Sequence, residues 1–469
     1  MMFRGWILGW VVLGLTAHAS AQSAAPLLPP DARFKADLLL VVAHPDDDVV
    51  VGGYLARLAL DEHKRVAVVY CTRGDGGGNS VGWAAGLALG QEREQEARRA
   101  LGSLGIENVW FLDGADTPGQ DPLRSLDRWG HGKALEGLVR LVRVTRPDVV
   151  LTWLPDSVVG ENHGDHQAAG VLAVEAFDLA GDATAFAEQV SPPRDRTGMA
   201  NLTEGLEPWQ PAKLYFFSDA FEDFGPYWHD PAEASPFRPN LMEGHGPSYP
   251  TTAVSGARRE SYARLTARMQ TFYATQEGDL GETALKSGDL KPWEYPVRLI
   301  LGKSLVGGTV EGDVFEGIGK APEGSARVRG QRSEPSAGLR LEVGDPWRYY
   351  ARFWRAHNLE HLAGLIPVPE MAASYGARLT VPLEACNSSR EPAVVQVAAE
   401  LPAGWTDKTP PLGYPLEPGS CYSVQAQVAP PAAGKPAWVE LRFKATAGTR
   451  PAGAVAVRVW VTPDGTMPQ

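Results

Sequence analysis

Cysteine is scarce in this chain, with Cys71, Cys386 and Cys421 the only three among 469 residues. Three isolated thiols exclude a thiolate zinc cluster, which needs several cysteines at close spacing. Basic residues are the minority charge, 44 Lys and Arg against 56 Asp and Glu, and the formal net charge is −12. That balance argues against general binding to nucleic acid or an anionic membrane, both of which select basic surfaces. Long apolar runs are missing beyond the N-terminus, so no later stretch reads as a membrane span.

What is present is ordinary for a globular protein: 44% hydrophobic and 21% charged residues. The length suits two or three domains. The N-terminus reads as an export signal. Arg4 supplies a positive start, Trp6 to Thr16 is apolar but short for a bilayer, and Ala19-Ser20-Ala21 offers a cleavage site before Gln22. An uncleaved anchor is the other reading. No cysteine follows the apolar run, so a lipoprotein anchor is not supported. Cys71 ends an apolar run and reads as a buried thiol. Cys386 and Cys421 share a β-rich segment of an exported chain, where a disulfide can form, and sequence leaves that pairing open.

From residue 31 onward strand and helix patterns alternate. Strands are expected at 36–43, 66–72, 109–112 and 149–154, and helices at 50–64, 92–102 and 134–144. This order predicts an α/β domain with a mostly parallel, helix-covered sheet. Thr72 to Gly78 is a glycine-rich loop. It lacks the Gly-Lys-Ser/Thr ending of a phosphate cradle and reads as a cleft wall. Residues 155–255 are loop-rich. Their aromatics Trp209, Phe221, Phe224, Tyr227 and Trp228 suit either core packing or sugar stacking, and His229 and His245 are weaker site candidates. A further strand is expected near 213–218 and a helix at 259–275. The expected organisation is a signal peptide at 1–21, a catalytic domain at 31–320, a linker with a helix at 321–376 and a β-sandwich at 377–465. The linker helix should start at Asp345-Pro346 and run to about Leu362.

Two clusters carry the chemistry. Ala43-His44-Pro45-Asp46-Asp47-Asp48 sits where the first strand gives way to a helix, and His163-Gly164-Asp165-His166 follows the fourth strand. Ligands in open α/β sheets bind beyond the carboxyl ends of strands, so the clusters can meet. His44, Asp47 and His166 offer two imidazoles and a carboxylate, the donor types of a zinc ion that keeps one position for water. Asp46 is placed to act as general base. His163 can donate to an oxyanion or a leaving amine, and Asp165 can orient His163 or a ligand histidine. Asp48 reads as a helix N-terminal residue.

These two motifs, with the glycine-rich loop, the helix containing Arg93 and Glu96 and the strand end Phe111-Leu112-Asp113-Gly114, resemble the LmbE/PIG-L family of zinc-dependent N-acetylglucosaminyl deacetylases. The resemblance covers roughly residues 35–320. It implies a Rossmann-like fold and loss of an N-acetyl group from a glucosamine-containing substrate. It also implies one zinc ion per chain, or another divalent metal, on His44, Asp47 and His166, with Asp46 as base and His163 as charge-stabilising group. By the same resemblance Arg93 and Asp116 contact substrate; read alone they are a helix-surface cation and a loop carboxylate. The family commonly has Glu where this chain has Asp48. Ala377 to Val461 resembles the NEW3 type of immunoglobulin-like module through Leu401-Pro402-Ala403-Gly404-Trp405 and Leu416-Glu417-Pro418-Gly419.

The leading expectation is therefore an exported zinc hydrolase acting on a small-molecule or glycan amino sugar. A zinc amidase for another acyl amide shares the same chemistry. A non-catalytic carbohydrate-binding protein is the third reading, against which the complete donor set and candidate base argue.

Overall fold

The computed structural model describes residues 32–155, 163–191, 204–218, 244–319, 338–344, 347–365 and 368–466. The expected export signal, the Asp345-Pro346 helix start, His229, Phe221, Phe224, Tyr227 and Trp228 lie outside these residues.

β1 (Leu38–Val42), β2 (Val66–Thr72), β4 (Val149–Trp153) and β5 (Lys213–Phe217) are buried along their whole length. Strands covered on both faces have no solvent side, which is why they read as continuous apolar runs rather than alternating ones. With the edge strand β3 (Asn108–Gly114) and β6 (Ile300–Ser304) they form one sheet in the order β3-β2-β1-β4-β5-β6. Every neighbouring pair is parallel except β5 with β6. The order reverses between β1 and β4, which lie side by side with Leu38 opposite Val149. That switch point opens a crevice beyond the carboxyl ends of these two strands. Both sequence clusters follow those ends.

Helices α1 (Gly52–Ala56), α2 (Leu87–Gly102), α3 (Pro122–Trp129), α4 (His131–Thr145) and α5 (Gly164–Leu179) connect the strands. α1 is shorter than the expected 50–64 helix because Arg57–Asp61 continues it with π-helical hydrogen bonding. The Gly52-Gly53 pair has a packing cause. A Cβ at Gly52 would lie 2.8 Å from Thr266 Cγ2, and one at Gly53 2.7 Å from Thr251 Cγ2, so α1 lies flush against α6 (Tyr262–Gln270). Gly164 likewise starts α5 directly against the backbone of Asp121, 2.9 Å from where its Cβ would stand. α7 (Gly278–Ser287) follows α6.

Residues beyond 338 build a second core between two sheets. One has four strands: Thr406–Asp407, Cys421–Ala429, Leu379–Asn387 and Leu339–Val343. The other has five: Glu370–Ser374, Arg450–Thr462, Ala437–Ala447, Ala393–Glu400 and Gly413–Leu416. Val381, Leu383, Val424, Leu441, Phe443 and Val459 fill the space between them. The strand at Leu339–Val343 falls in the stretch expected as linker; it pairs with Leu379–Asn387 and so belongs to this β unit. Cys386 and Cys421 face each other across adjacent strands and form the disulfide that sequence left open. Cys71 is a buried free thiol.

α8 (Trp347–Ala356) joins the two cores and is two-faced. Tyr350, Phe353 and Trp354 bury into the first core. Arg348 pairs with Glu384 and Arg355 with Glu342 of the β unit. The helix is shorter than the expected run to Leu362, and Glu360–Leu365 forms a separate 3-10 turn. Among the described residues no helix is long and apolar enough to cross a membrane.

Candidate active site

The crevice brings His44, Asp47 and His166 to one point. His44 Nδ1 lies 3.2 Å from His166 Nε2, His166 Nε2 lies 3.2 Å from Asp47 Oδ1, and Asp47 Oδ1 lies 3.6 Å from His44 Nδ1. Three donors held about 2.0–2.2 Å from a tetrahedral ion stand about 3.3–3.6 Å apart, so this triangle fits one such ion. The surrounding charge fits as well. Burial disfavours a charged His44, yet acceptors on Asp116, Asp165 and Asp47 outweigh it and raise its pKa well above the ordinary value. The carboxylates thus favour positive charge at the centre.

Each donor is oriented from behind. Asp47 Oδ2 accepts from the backbone N–H of Ala43 (2.8 Å), that of His44 (3.0 Å) and Trp153 Nε1 (2.8 Å), leaving Oδ1 directed at the two histidines. Burial opposes the Asp47 charge, but His166 and His44 outweigh it and hold its pKa well below the carboxylate range. His44 Nε2 faces Asp165 Oδ2 at 3.2 Å and Asp116 Oδ1 at 3.5 Å. That assigns the proton to Nε2 and frees the Nδ1 lone pair, the usual arrangement for a ligand histidine. Asp165 is fully buried and also accepts from Thr117 N at 2.8 Å. The structure places it behind His44 rather than in the cavity. The His166 ring stacks on Trp153, with centroids 4.3 Å apart and planes 9° apart.

Asp46 stands beside the triangle and lines a cavity of about 470 Å³. Burial and the neighbouring Asp47 raise its pKa well above the ordinary value, against the pull of His44 and Arg93. Its backbone has φ 105° and ψ −23°, a conformation that L-residues rarely adopt and that costs about 1–3 kcal/mol. Asp48 lies in the first turn of a 3-10 helix, Asp47–Val49, as expected of a helix N-terminal residue. It is fully buried, and both carboxylate oxygens accept from Tyr273 Oη, at 2.6 and 2.8 Å. Burial lifts its pKa to about 6, in spite of the hydroxyls of Tyr273 and Tyr70.

His163 is the N-cap of α5, and its Nδ1 accepts from Asp165 N at 3.2 Å. The neutral ring therefore carries its proton on Nε2. Burial and the nearby His44 and His166 lower its pKa to about 4. Asp116 accepts from Gly76 N at 3.1 Å and so ties the glycine-rich loop to His44. Arg93 is buried and donates to Gly74 O (2.6 Å), Gly78 O (2.7 Å) and Thr275 Oγ1 (3.4 Å). Both residues line the cavity. Three of the five Arg93 donors are, however, already used to hold the loop. The glycine-rich loop forms the cavity wall through Gly76 and Gly77.

Sequence reasoning missed Trp153, Gln276 and Tyr273. Trp153 closes its strand and was visible only as strand residue. Gln276 and Tyr273 lie just after α6, more than 200 residues from the loop they touch, with no motif to mark them. His245 and Trp209 do not line this cavity; Trp209 Nε1 instead donates to Pro147 O at 2.7 Å. A second cavity, about 490 Å³, lies between α3, α5 and α8 and holds mainly apolar side chains with the His131–Glu175 pair.

The family model for PIG-L, GlcNAc-PI de-N-acetylase, matches residues 39–177. A Streptomyces scabiei protein named 1D-myo-inositol 2-acetamido-2-deoxy-alpha-D-glucopyranoside deacetylase is 31% identical over 323 residues, covering 62% of this chain and 92% of that protein. The chain belongs to the PIG-L family. Proteins with the same name, numbered 1, from Frankia alni and Catenulispora acidiphila are 35% and 34% identical, each over 37% of this chain. The chain spans 59% and 58% of their length.

Proposed function

We propose that this chain is an exported zinc-dependent hydrolase that removes the N-acetyl group from an N-acetylglucosamine-containing substrate. The observation that carries the reading is the donor triangle of His44, Asp47 and His166 with Asp46 beside it in one cavity. The names of the family and of its relatives support the choice of amide. The Trp6–Thr16 run and Ala19-Ser20-Ala21 support export. The two-sheet unit reads as an immunoglobulin-like sandwich of the NEW3 type.

His44, Asp47 and His166 would hold a divalent ion, which when bound would supply positive charge to polarise an acyl carbonyl and acidify water. Asp46, with its raised pKa, takes the proton from the attacking water. Oxygen adds to the amide carbon and the C–N bond breaks. The acetyl group leaves as acetate, and the nitrogen takes the proton to leave as the amine. The His163 Nε2–H donates to the oxygen on which negative charge develops; with its pKa lowered to about 4 the ring acts as a neutral donor. Arg93 and Asp116 line the same cavity and are assigned to substrate hydroxyls.

The test is metal content of the purified chain together with amine release from a panel of N-acetylglucosamine compounds, with and without chelator. One bound metal and chelator-sensitive release is the expected result. Bound metal without release points to another acyl amide. Folded protein that takes up no metal overturns the reading.

A further inference from the structure

We propose that the segment Tyr273–Gln276 is a clamp on the Pro45–Asp46 peptide that fixes the direction of the Asp46 carboxylate. The proposal rests on the assignment of Asp46 as the proton acceptor. The peptide joining Pro45 to Asp46 sets the Asp46 φ of 105°. Its carbonyl, on Pro45, accepts from Gln276 Nε2 at 2.5 Å. Its N–H, on Asp46, donates to Asp48 Oδ1 at 3.3 Å. Asp48 is in turn held at both oxygens by the Tyr273 hydroxyl, at 2.6 and 2.8 Å. Both ends of one peptide plane are thus gripped from one four-residue segment. Rotating that plane toward an ordinary φ breaks both grips together, and an L-residue at this φ persists only where its surroundings over-determine it.

The segment is itself immobilised. Thr275 donates to Glu96 through its N–H (2.9 Å) and its hydroxyl (2.7 Å), and its carbonyl accepts from Ser80 N at 3.2 Å. The Tyr70 hydroxyl lies 3.2 Å from that of Tyr273. The clamp therefore joins the loop bearing the base to α2 and to the glycine-rich wall opposite it. Tyr273 is fully buried and does not line the cavity, so it is a positioning residue. Gln276 does line the cavity, and its Oε1 is buried without a partner among the described residues, so its variants mix positioning with substrate contact.

The clean variant is Tyr273→Phe, which removes one hydroxyl. In the metal-loaded full chain, kcat is expected to fall by between about tenfold and a hundredfold, with KM and bound metal unchanged. In an Asp46→Asn background the same change should cost nothing further, because the clamp acts through Asp46. An equal fractional loss in both backgrounds, or a loss that tracks loss of metal, overturns the proposal. Crystal structures of the wild type and Tyr273→Phe supply a readout independent of what the chain hydrolyses. Asp46 is expected at positive φ in the wild type and displaced from it in the variant. An unchanged Asp46 φ with the Pro45 carbonyl still on Gln276 overturns the clamp even if amide hydrolysis stands. Failure of every amide substrate, with Asp46 displaced as expected, overturns the hydrolase reading and leaves the clamp.

Discussion

Trp153 Nε1 donates to Asp47 Oδ2 at 2.8 Å, across 106 residues of chain. The same indole stacks on His166 with ring centroids 4.3 Å apart, so one side chain orients two of the three candidate metal donors. Trp153→Phe keeps a ring beneath His166 and removes the donor to Asp47. Metal affinity is expected to fall by about 10–100-fold, the usual cost of losing an outer partner of a ligand. Chelator competition on the two proteins measures it, and unchanged affinity would mean that Asp47 needs no help from Trp153.

Asp46 and His166 should separate catalysis from metal binding. Asp46→Asn leaves the donor triangle intact, so bound metal is expected to stay at the wild-type level while turnover drops by about 10²–10⁴-fold. His166→Ala removes one corner of the triangle, and metal and activity are expected to be lost together. Metal analysis beside amine release reads both. Full turnover in Asp46→Asn would refute its role as base, and stoichiometric metal in His166→Ala would remove it from the donor set.

The Cys386–Cys421 bridge closes a loop with a sequence separation of 35 residues inside the β unit. On the chain-entropy account a loop of that size contributes about 4 kcal/mol by restricting the unfolded chain. Cys386→Ser/Cys421→Ser is expected to lower the unfolding free energy of the β unit by that order, with a lower midpoint, and to leave bound metal unchanged. Denaturant unfolding with intrinsic fluorescence, repeated under reducing conditions, checks it; reduction should shift the wild type and not the variant.

His131 Nε2 lies 2.6 Å from Glu175 Oε2 at the helix seam, and that hydrogen bond raises the histidine's pKa against the effect of burial. A histidine with a folded pKa above its unfolded one contributes stability that is complete below about pH 6.5 and fades as pH rises through the folded value. Glu175→Gln should therefore destabilise the chain more at pH 6 than at pH 8.5. The His131 side chain is 42% exposed, so solvent screens the pair and the difference stays under about 1 kcal/mol. Thermal unfolding at the two pH values measures it, and an equal effect at both would show that the pair does not titrate as described.

Much of the centre was legible because its parts are local. β1 is five apolar residues in a row, and a strand buried on both faces leaves that trace in any sequence. His44 and Asp47 follow its end within one turn, and His163, Asp165 and His166 follow β4 in the same way. The alternating pattern allowed the two ends to meet, and the strand order, with β1 beside β4, brings them together. The residue types of the donor set, the candidate base and the domain that carries them were therefore determined by sequence.

What only the tertiary structure decided is where each side chain points. Asp165 turned out to serve His44, because Gly164 seats the start of α5 directly against Asp121 and buries the carboxylate behind the ring. Arg93 and Asp116 became struts of the glycine-rich loop as well as cavity walls: Arg93 folds back from α2 onto Gly74 in the same strand connection, and Asp116 reaches Gly76 from the connection after β3. Tyr273 reaches Asp48 across 225 residues, and Gln276 reaches Pro45 across 231. Hydrogen bonds at such separations have no period and no motif. They exist only once the sheet has closed and α6 has packed on the glycines of α1, which is why the left-handed backbone of Asp46 and the segment that holds it could be seen only in the folded chain.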